Sequence, residues 1–423
     1  MEYHLSTLRN GITVLKVPKS DSESVSVNFF VKIGSRDEMP KIRGISHFLE
    51  HLLFKGTKRY PTAKILSTTV EAIGADYNAA TSKEYTVFYI KAAKTHLPLI
   101  FDVLCDMLLH PILNPEEIER EKGVIIEEMN MYRDTPMRYV GELLEEQMWP
   151  NSDIGAQIIG DEKTVNGISK TDITNYLASQ YINRNLILAI AGKYNDHELD
   201  KLIDKYWRRG IDGPTLAATP APKKALTAPV RVHSKKTEQA HMALGFYSFD
   251  YNHPENFVLD VLSNIMGGGM SSRLFSEIRE RRGLAYYVRM GTSHYLDCGV
   301  TGITAGLRLG KVEEALDVAS RELRKIKKTL VAGKELKKAK ENMKGRMTLA
   351  LEDNEARLEW YLEQTAFHKK TLSPAAAFRR IDAVTPRQIQ ALAKRLFRRD
   401  NMKLALIGPY QGRERAFSKL LKF

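Results

Sequence analysis

Apolar and polar positions repeat along the chain at a fixed spacing. Strand-like and helix-like apolar segments recur after about 215 residues, and three pairs keep this offset: Val25–Val31 and His241–Tyr247, Thr86–Tyr89 and Thr301–Thr304, and Phe101–Leu104 and Leu316–Ala319. A shared offset predicts two copies of one unit that contains both strands and helices.

A stretch rich in proline, alanine and threonine separates the two copies. It covers residues 213–230 and is typical of an extended linker. We therefore expect one domain over residues 1–212 and a similar domain over residues 231–423. The predicted class is α+β, with two α/β-sandwich-like domains, each a mainly antiparallel sheet with helices packed on it.

Length and composition agree with two folded domains. A chain of 423 residues with 43% hydrophobic content is long enough for two cores. The two cysteines, Cys105 and Cys298, indicate no disulfide framework. No apolar run approaches the roughly 20 residues that cross a bilayer, and the first residues lack a signal-peptide pattern. The sequence therefore predicts a cytoplasmic protein without membrane insertion.

Charge is distributed unevenly between the two halves. Residues 1–212 contain 26 Lys+Arg and 30 Asp+Glu, a net charge of −4, so the remaining residues contribute +17 to the overall +13. Basic residues in 321–328 and 334–344 alternate with helix formers, as on solvated helix faces, and we predict no nucleic-acid site. The opposite charges favour contact between the acidic half of one subunit and the basic half of another.

His47, Glu50 and His51 form an H-x-x-E-H pattern. On a helix, histidines four positions apart project from one face and can chelate one metal ion. An apolar stripe supports the helix, and we expect Ser46 to cap its start. This residue order is that of the inverzincin peptidases, so the first hypothesis is a zinc peptidase. The alternative, from the pattern alone, is a half-buried histidine pair without metal.

A catalytic zinc site requires a third protein ligand. The best source is the acidic stretch Pro115–Met129, which is predicted to be helical. Glu121 and Glu128 lie seven positions apart and share a helical face, whereas Glu127 points about 100° away from Glu128. The alternative is a solvated charged helix, although Val124–Ile126 make the surroundings of Glu128 unusually apolar.

With these motifs, the chain resembles the pitrilysin and insulinase family of zinc peptidases, in particular the half-size bacterial members similar to mitochondrial processing peptidase. The resemblance implies that the chain forms half of a clamshell-shaped enzyme and that each chain binds one Zn²⁺. It also implies His47, His51 and Glu128 as the zinc ligands, because the family's third ligand follows the second histidine at the spacing that Glu128 has here. By the same resemblance, Glu121 is not a ligand itself but supports the metal site from behind the ligands. Glu127 is the alternative third ligand, because one residue fewer in an intervening loop would move the assignment.

Two further segments resemble substrate-binding parts of this family. The segment Gly74–Thr86 resembles the edge strand whose backbone pairs with extended substrate, which implies Asn78 and Ala79 as contacts. Arg279 and Tyr286, after a glycine-rich turn, match an arginine and a tyrosine that reach the substrate backbone and the developing oxyanion. The alternative for the first segment is an ordinary strand-turn-strand, although we favour the substrate strand. The glycine-rich turn lacks the spacing and lysine of a phosphate-binding loop.

The second copy provides an internal control for the metal motif. An offset of 215 carries His47, Glu50, His51, Glu121 and Glu128 onto Leu262, Ile265, Met266, Leu336 and Met343. The second copy is thus apolar at every one of these positions. The polar residues are not required by the fold, which favours a catalytic role for them.

The resemblance implies a zinc-dependent endopeptidase in which Glu50 activates zinc-bound water. The expected substrates are unfolded peptides or exposed protein termini, admitted to a closed dimeric chamber. Because the metal residues and the Arg279/Tyr286 pair occupy different halves, a homodimer would have two sites completed in trans. The alternatives are a non-catalytic core or scaffold subunit, and the active half of a heterodimeric processing peptidase.

Overall fold

The computed structural model describes residues 2–207, 220–221, 224 and 228–423, which contain two β-sheets with helices packed on them. The strands are β1 (His4–Thr7), β2 (Thr13–Pro18), β3 (Ser24–Val31), β4 (Asp76–Thr81), β5 (Thr86–Ala93), β6 (Leu186–Gly192), β7 (Val230–Ser234), β8 (Gln239–Tyr247), β9 (Ala285–His294), β10 (Gly299–Arg308) and β11 (Met402–Gly408). The helices are α1 (Ile45–Leu53), α2 (Ala63–Glu71), α3 (Leu97–Leu109), α4 (Pro115–Arg133), α5 (Pro136–Met148), α6 (Glu162–Gly167), α7 (Lys170–Gln180), α8 (Asp196–Trp207), α9 (Asn256–Gly267), α10 (Val312–Lys328), α11 (Gly333–Ala350), α12 (Asn354–Phe367), α13 (Pro374–Ala383), α14 (Pro386–Leu396) and α15 (Glu414–Leu420). No helix in these described residues is both long and apolar enough to cross a membrane. The predicted α+β class with two mainly antiparallel sheets is confirmed.

The first compact unit is built on a six-stranded sheet in the order β1-β2-β6-β3-β5-β4. Within it, only β2 and β6 pair in parallel. Phe29 of β3 contacts Trp207 of α8, and the next residue, Phe30, contacts Phe367 of α12. Because successive strand residues face opposite sides of a sheet, helices cover both faces at this point. Strand β4 lies at the edge of the sheet.

The second compact unit is built on a five-stranded sheet in the order β7-β11-β8-β10-β9. Among its five described strands, β7 and β11 pair in parallel, and the other neighbours pair antiparallel. Helices α9, α10 and α14 contribute Leu262, Leu316 and Leu392 to a core in which Leu244 and Phe246 of β8 are also fully buried. Burial of these large apolar side chains is the main stabilising contribution of the unit.

The two sheets repeat one topology, which confirms the predicted duplication. In order, β2, β6, β3, β5 and β4 correspond to β7, β11, β8, β10 and β9, and β1 is an additional strand of the first sheet. The three predicted segment pairs fall on β3 and β8, β5 and β10, and α3 and α10.

The offset between the two copies changes before helix α4, which carries Glu121 and Glu128. It is 215 from Leu97 to Val312, the first residues of α3 and α10, but 218 from Pro115 to Gly333, the first residues of α4 and α11. The change of three arises because α10 has 17 residues and α3 has 13, while the connection that follows is one residue shorter in the second copy. Glu121 and Glu128 therefore correspond to Ala339 and Arg346, and the predicted correspondence with Leu336 and Met343 was wrong by three residues. Neither Ala339 nor Arg346 is a metal-ligating residue type.

The compact units depart from the predicted continuous domains, 1–212 and 231–423, at two helices. The first unit comprises the described residues within Met1–Asn130, Ala156–Thr219 and Leu349–Thr371, and the second comprises those within Met131–Gly155, Pro220–Thr348 and Leu372–Phe423. Helix α5 thus belongs with the second sheet and α12 with the first. The predicted linker, 213–230, lies mostly outside the described residues.

The apolar face of α5 explains this arrangement. Val140 and Leu143 are buried in one cluster with Ala243 of β8 and Ala405 of β11. The cluster removes apolar surface of the helix from water against the second sheet, although the helix lies in the first half of the chain. Sequence order alone does not reveal such an exchange.

Candidate metal centre

Helix α1 presents the H-x-x-E-H residues, and its start differs from the expected one. The helix follows Gly44, whose φ of 93° is the left-handed conformation that glycine adopts readily. Ser46 is buried inside the first turn and shares a hydrogen bond of 2.7 Å with the Tyr176 hydroxyl, so it is not the cap. Glu38 takes this role, because its two carboxylate oxygens accept the backbone N–H groups of Gly44 at 2.7 Å and Ser46 at 2.8 Å.

The structure brings His47, His51 and Glu128 together. One ligand atom from each lies within 4.8 Å of the others, and this is the one such group of His, Cys, Asp and Glu in the described part of the chain. The Nε2 atoms of His47 and His51 lie 3.6 Å and 3.5 Å from Oε2 of Glu128. Donor atoms around a tetrahedral zinc ion are expected about 3.3 Å apart, since zinc bonds are about 2.0–2.1 Å long. Two nitrogens and one oxygen at these distances fit zinc and leave a fourth position for water.

One face of α4 contributes the carboxylates near this group. Glu121 is 2% exposed, Ile125 behind it is fully buried, and Glu128 is half-buried. Glu127 is exposed and does not belong to the group. The geometry therefore favours Glu128 over Glu127 as the third ligand, because the helical rotation that aims Glu128 at the histidines turns Glu127 toward water.

Glu121 connects His51 to Lys55. Its Oε1 lies 2.9 Å from Nδ1 of His51, and its Oε2 lies 2.7 Å from the Lys55 ammonium. When Nδ1–H donates to Glu121, Nε2 of His51 keeps the lone pair that faces Glu128. Burial raises the pKa of Glu121, but its hydrogen bonds to His51 and Lys55 outweigh burial and lower the pKa below its ordinary value. Lys55 was not among the predicted site residues, although its position four residues after His51 places it on the same helical face.

The two imidazoles have different electrostatic surroundings. Burial, with the charge of His51, lowers the pKa of His47 to about 3, so this imidazole is neutral and can ligate a metal. Burial also acts to lower the pKa of His51, but the hydrogen bond and charge of Glu121, with the charges of Glu128 and Glu50, raise it above its ordinary value. Two carboxylates and a carboxylate-bound imidazole thus give this site a negative character that suits a cation.

Glu50 lies between the histidines on α1 and interacts electrostatically with both His51 and Glu128. Its Oε2 accepts a hydrogen bond of 2.5 Å from the Thr81 hydroxyl. Burial raises the pKa of Glu50 above its ordinary value, and this effect outweighs the hydrogen bonds from Thr81. A carboxylate with a raised pKa beside metal-ligating groups is suited to accept and return a proton.

Asn78 and Ala79, the predicted substrate contacts, lie on the edge strand β4. Asn78 is exposed, whereas Ala79 is 9% exposed and offers mainly its backbone. Oδ1 of Asn78 accepts the N–H of Ala79 at 2.9 Å. Both residues thus occupy a sheet edge, the position that strand addition requires.

Arg279 and Tyr286, the other predicted substrate residues, lie together in the second unit. The Arg279 guanidinium lies 5.5 Å from the centre of the Tyr286 ring and 4.8 Å from that of Phe275. Tyr286 is 70% exposed on β9, and Arg279 belongs to a π-helical turn, Phe275–Glu280. Such turns are rare in proteins, but where they occur they often lie at functional sites. This turn was not predicted from the sequence. The metal-site residues, by contrast, all belong to the first unit.

Comparison with known proteins shows the family of the chain. The model of the insulinase family, peptidase family M16, matches residues 13–162, and the model of the peptidase M16 inactive domain matches residues 167–343. The chain belongs to peptidase family M16. The resemblance to the insulinase-type peptidases is thus confirmed, and the family's term for the second domain agrees with the residues at the corresponding positions there, Leu262, Ile265, Met266, Ala339 and Arg346, which are not zinc-ligating residue types.

The similar M16 proteins have about the same length as this chain. A protein of Bacillus subtilis named an uncharacterized zinc protease is 33% identical over 95% of this chain and 97% of its own. Another of that description from Streptomyces coelicolor is 32% identical over 97% of this chain and 90% of its own. The crystal structure of a protease from Helicobacter pylori has the same fold, with a TM-score of 0.90 and 23% identity over 96% of this chain and 99% of that one.

Proposed function

We propose that the chain is a zinc-dependent endopeptidase. The observation that carries this proposal is the convergence of His47, His51 and Glu128, from two helices, around one position with Glu50 beside it. Membership of the M16 family and the zinc proteases among the relatives support it. One Zn²⁺ per chain would be held by these three side chains.

Each side chain near the metal has a defined part in peptide hydrolysis. Zinc, when bound, polarises the scissile carbonyl and acidifies the attacking water. Glu50 accepts a proton from that water and passes it to the leaving amine, for which its raised pKa is suited. Glu121 keeps Nε2 of His51 available as a ligand through its hydrogen bond to Nδ1.

The expected substrates are unfolded peptides and exposed protein termini. The edge strand β4 can pair with the backbone of an extended chain, and such pairing depends little on side-chain identity. A folded domain has few extended segments with free backbone groups, so it should be a poor substrate.

Arg279 and Tyr286 would align the substrate and stabilise the carbonyl oxygen as charge develops on it. We propose that they act on the metal centre of a second copy of the chain, so that a homodimer has two sites completed in trans within a closed chamber. The support is that the two residues lie close together in the second unit, with Tyr286 exposed and Arg279 half-buried, whereas His47, His51 and Glu128 belong to the first unit.

Metal analysis, peptide cleavage and molecular mass of one purified sample test the proposal. We expect about one zinc per chain, cleavage of a flexible peptide, loss of cleavage with a chelator and recovery with Zn²⁺, and the mass of a dimer. A chain that binds zinc but cleaves no member of a diverse peptide panel would contradict the peptidase. A chain that binds no zinc would favour a scaffold subunit.

Mixing two inactive variants tests completion in trans. Glu50→Gln and Tyr286→Phe subunits, each poorly active alone, should regain part of the activity when they exchange into mixed dimers, because one site then has both intact parts. Mixed dimers that form and stay inactive would show that each site is completed within one chain.

A further inference from the structure

Along the unpaired edge of β4, every second residue turns its backbone N–H and C=O groups away from β5. Strand β4 pairs with β5 in an antiparallel register, and just beyond it the N–H of Ser82 donates to the carbonyl of Tyr85 at 2.7 Å. In an antiparallel pair, hydrogen-bonded and non-bonded residue pairs alternate. The N–H groups of Tyr77, Ala79 and Thr81 therefore point away from β5, toward the unpaired edge.

Two of these edge donors have acceptors within the chain. Oδ1 of Asn78 accepts the N–H of Ala79, and the carboxylate of Glu50 accepts the N–H of Thr81 as well as its hydroxyl. Asn78 is exposed and can rotate away when a peptide pairs with Ala79. Glu50 is held by two donors, so a peptide on β4 meets the carboxylate at Thr81.

The side chain of Thr81 faces α1 because of the strand's alternation. Tyr77, Ala79 and Thr81 lie on one face of β4. The Tyr77 ring lies 6.3 Å from the ring of Phe54, which follows α1 directly, and Ala79 is largely buried. The same face that packs beside α1 thus presents the Thr81 hydroxyl to Glu50.

The second copy uses the corresponding threonine differently. Thr81 pairs with Thr86, and the corresponding pair in the second sheet is Thr292 with Thr301. Thr292 donates to the Thr301 hydroxyl at 3.0 Å and lies 3.2 Å from the hydroxyl of Ser263 on α9. At the position of Glu50, α9 has the apolar Ile265, so Thr292 contacts hydroxyl groups there, and the pairing of this threonine with a glutamate belongs to the first copy.

We propose that Thr81 is a positioning residue, whose hydroxyl and backbone N–H hold Glu50 at the point where a bound peptide stops pairing with β4. One residue then sets both the register of the peptide and the position of the base. The inference rests on the proposed peptidase function and extends it to a residue outside the H-x-x-E-H motif and the third ligand.

Three variants of the full-length chain test the proposal. Thr81→Val keeps the branched shape and the backbone N–H but removes the hydroxyl, so kcat should fall about 10–100-fold, as expected when a catalytic group is misplaced by about 1 Å. KM, zinc content and melting temperature should stay close to those of the wild type. Thr81→Ser, which restores a hydroxyl, should recover most of kcat. Thr292→Val, the matched change in the second copy, should leave kcat unchanged.

The outcomes separate positioning from general structural damage. A kcat of Thr81→Val within about twofold of the wild type would overturn the proposal, as would an equal loss in Thr292→Val or a loss explained by missing zinc. If the zinc-loaded wild type cleaves no peptide, the proposed function fails, and crystal structures of the variants decide the positioning separately. A displaced Glu50 carboxylate in Thr81→Val, but not in Thr81→Ser, would support it, and an unmoved carboxylate in both would overturn it.

Discussion

Helices α1 and α9 occupy the same place in the two copies of the fold but meet their sheets differently. In α9, Leu262, Ile265 and Met266 are all buried in the core of the second unit. A Cβ at Gly267, at the end of α9, would lie 2.2 Å from the backbone nitrogen of Met290, so this helix lies directly against β9. In α1, the corresponding three residues are polar and only half-buried.

The comparison separates what the fold needs from what the site needs. An apolar α9 face is sufficient for folding, since burial of large apolar side chains stabilises the helix against the sheet. In the first copy, α1 buries less apolar surface at these positions and instead presents the imidazoles of His47 and His51 and the carboxylate of Glu50. Their partners are Glu121, Glu128 and Thr81. Substitutions at paired positions of the two copies can therefore distinguish catalytic from structural effects.

The largest difference is expected between Glu50→Gln and Ile265→Val. If Glu50 is the general base that we propose, its loss should lower kcat about 10³-fold while zinc stays bound. Ile265→Val removes one buried methylene from the matched position and should cost about 1 kcal/mol of unfolding free energy without changing kcat. Steady-state kinetics, zinc content and denaturant unfolding of both proteins measure this. A Glu50→Gln protein that loses zinc would indicate that Glu50 is a ligand and not the base.

Removal of the proposed third ligand, Glu128, should have the next largest effect. Glu128→Gln should weaken zinc binding by more than about 10²-fold, since it replaces one of the three proposed ligands, whereas Glu127→Gln, a change in the adjacent exposed carboxylate, should not. Competition with a chromophoric chelator gives both dissociation constants. Equal losses in the two variants would contradict the assignment of Glu128.

A smaller loss of zinc affinity, about 10–100-fold, is expected for Glu121→Gln. This change keeps a hydrogen-bond acceptor for Nδ1 of His51 but removes the charge that Lys55 neutralises. The second copy has Ala339 at the corresponding position, in keeping with the absence of a histidine to orient there. The same chelator competition applies, with Glu127→Gln as reference, and an unchanged dissociation constant would show that Glu121 has no influence on the ligands.

The smallest effect concerns the two exchanged helices. Helix α5 meets its sheet through apolar side chains, whereas Glu355 of α12 accepts hydrogen bonds from Ser26 and Asn28 of β3. Burial, with the charges of Glu359 and Asp353, raises the pKa of Glu355 above its ordinary 4.5, although its hydrogen bonds oppose the shift. Its contribution to stability should be complete below about pH 4.5 and should be lost as the pH rises through the raised value.

Glu355→Gln, which stays neutral, should therefore gain melting temperature relative to the wild type as the pH rises above about 4.5, by about 2–4 °C at most. Melting curves of both proteins between about pH 4 and pH 7.5 measure the difference. A difference that stays constant with pH would mean that the carboxyl titrates normally in the folded protein.

Periodic and local patterns predicted much of this molecule. The constant offset between apolar segments predicted the duplication, because the pattern of buried positions repeats with the secondary structure of each copy. The H-x-x-E-H spacing predicted helix α1 with both histidines on one face, because side chains at i and i+4 share a helix face independently of the rest of the fold. The expected cap at Ser46 was wrong, since a buried glutamate from an earlier loop, Glu38, binds the same backbone N–H groups.

By itself, the sequence determined that there are two related units and that only the first has paired histidines with a carboxylate between them. Only the tertiary structure decided that α5 and α12 pack on the sheet of the other half, and that Glu128 rather than Glu127 faces the imidazoles. It also placed Lys55 beside Glu121 and Thr81 beside Glu50. These features depend on contacts between residues far apart in the chain, where one residue of register rotates a helical side chain by about 100°.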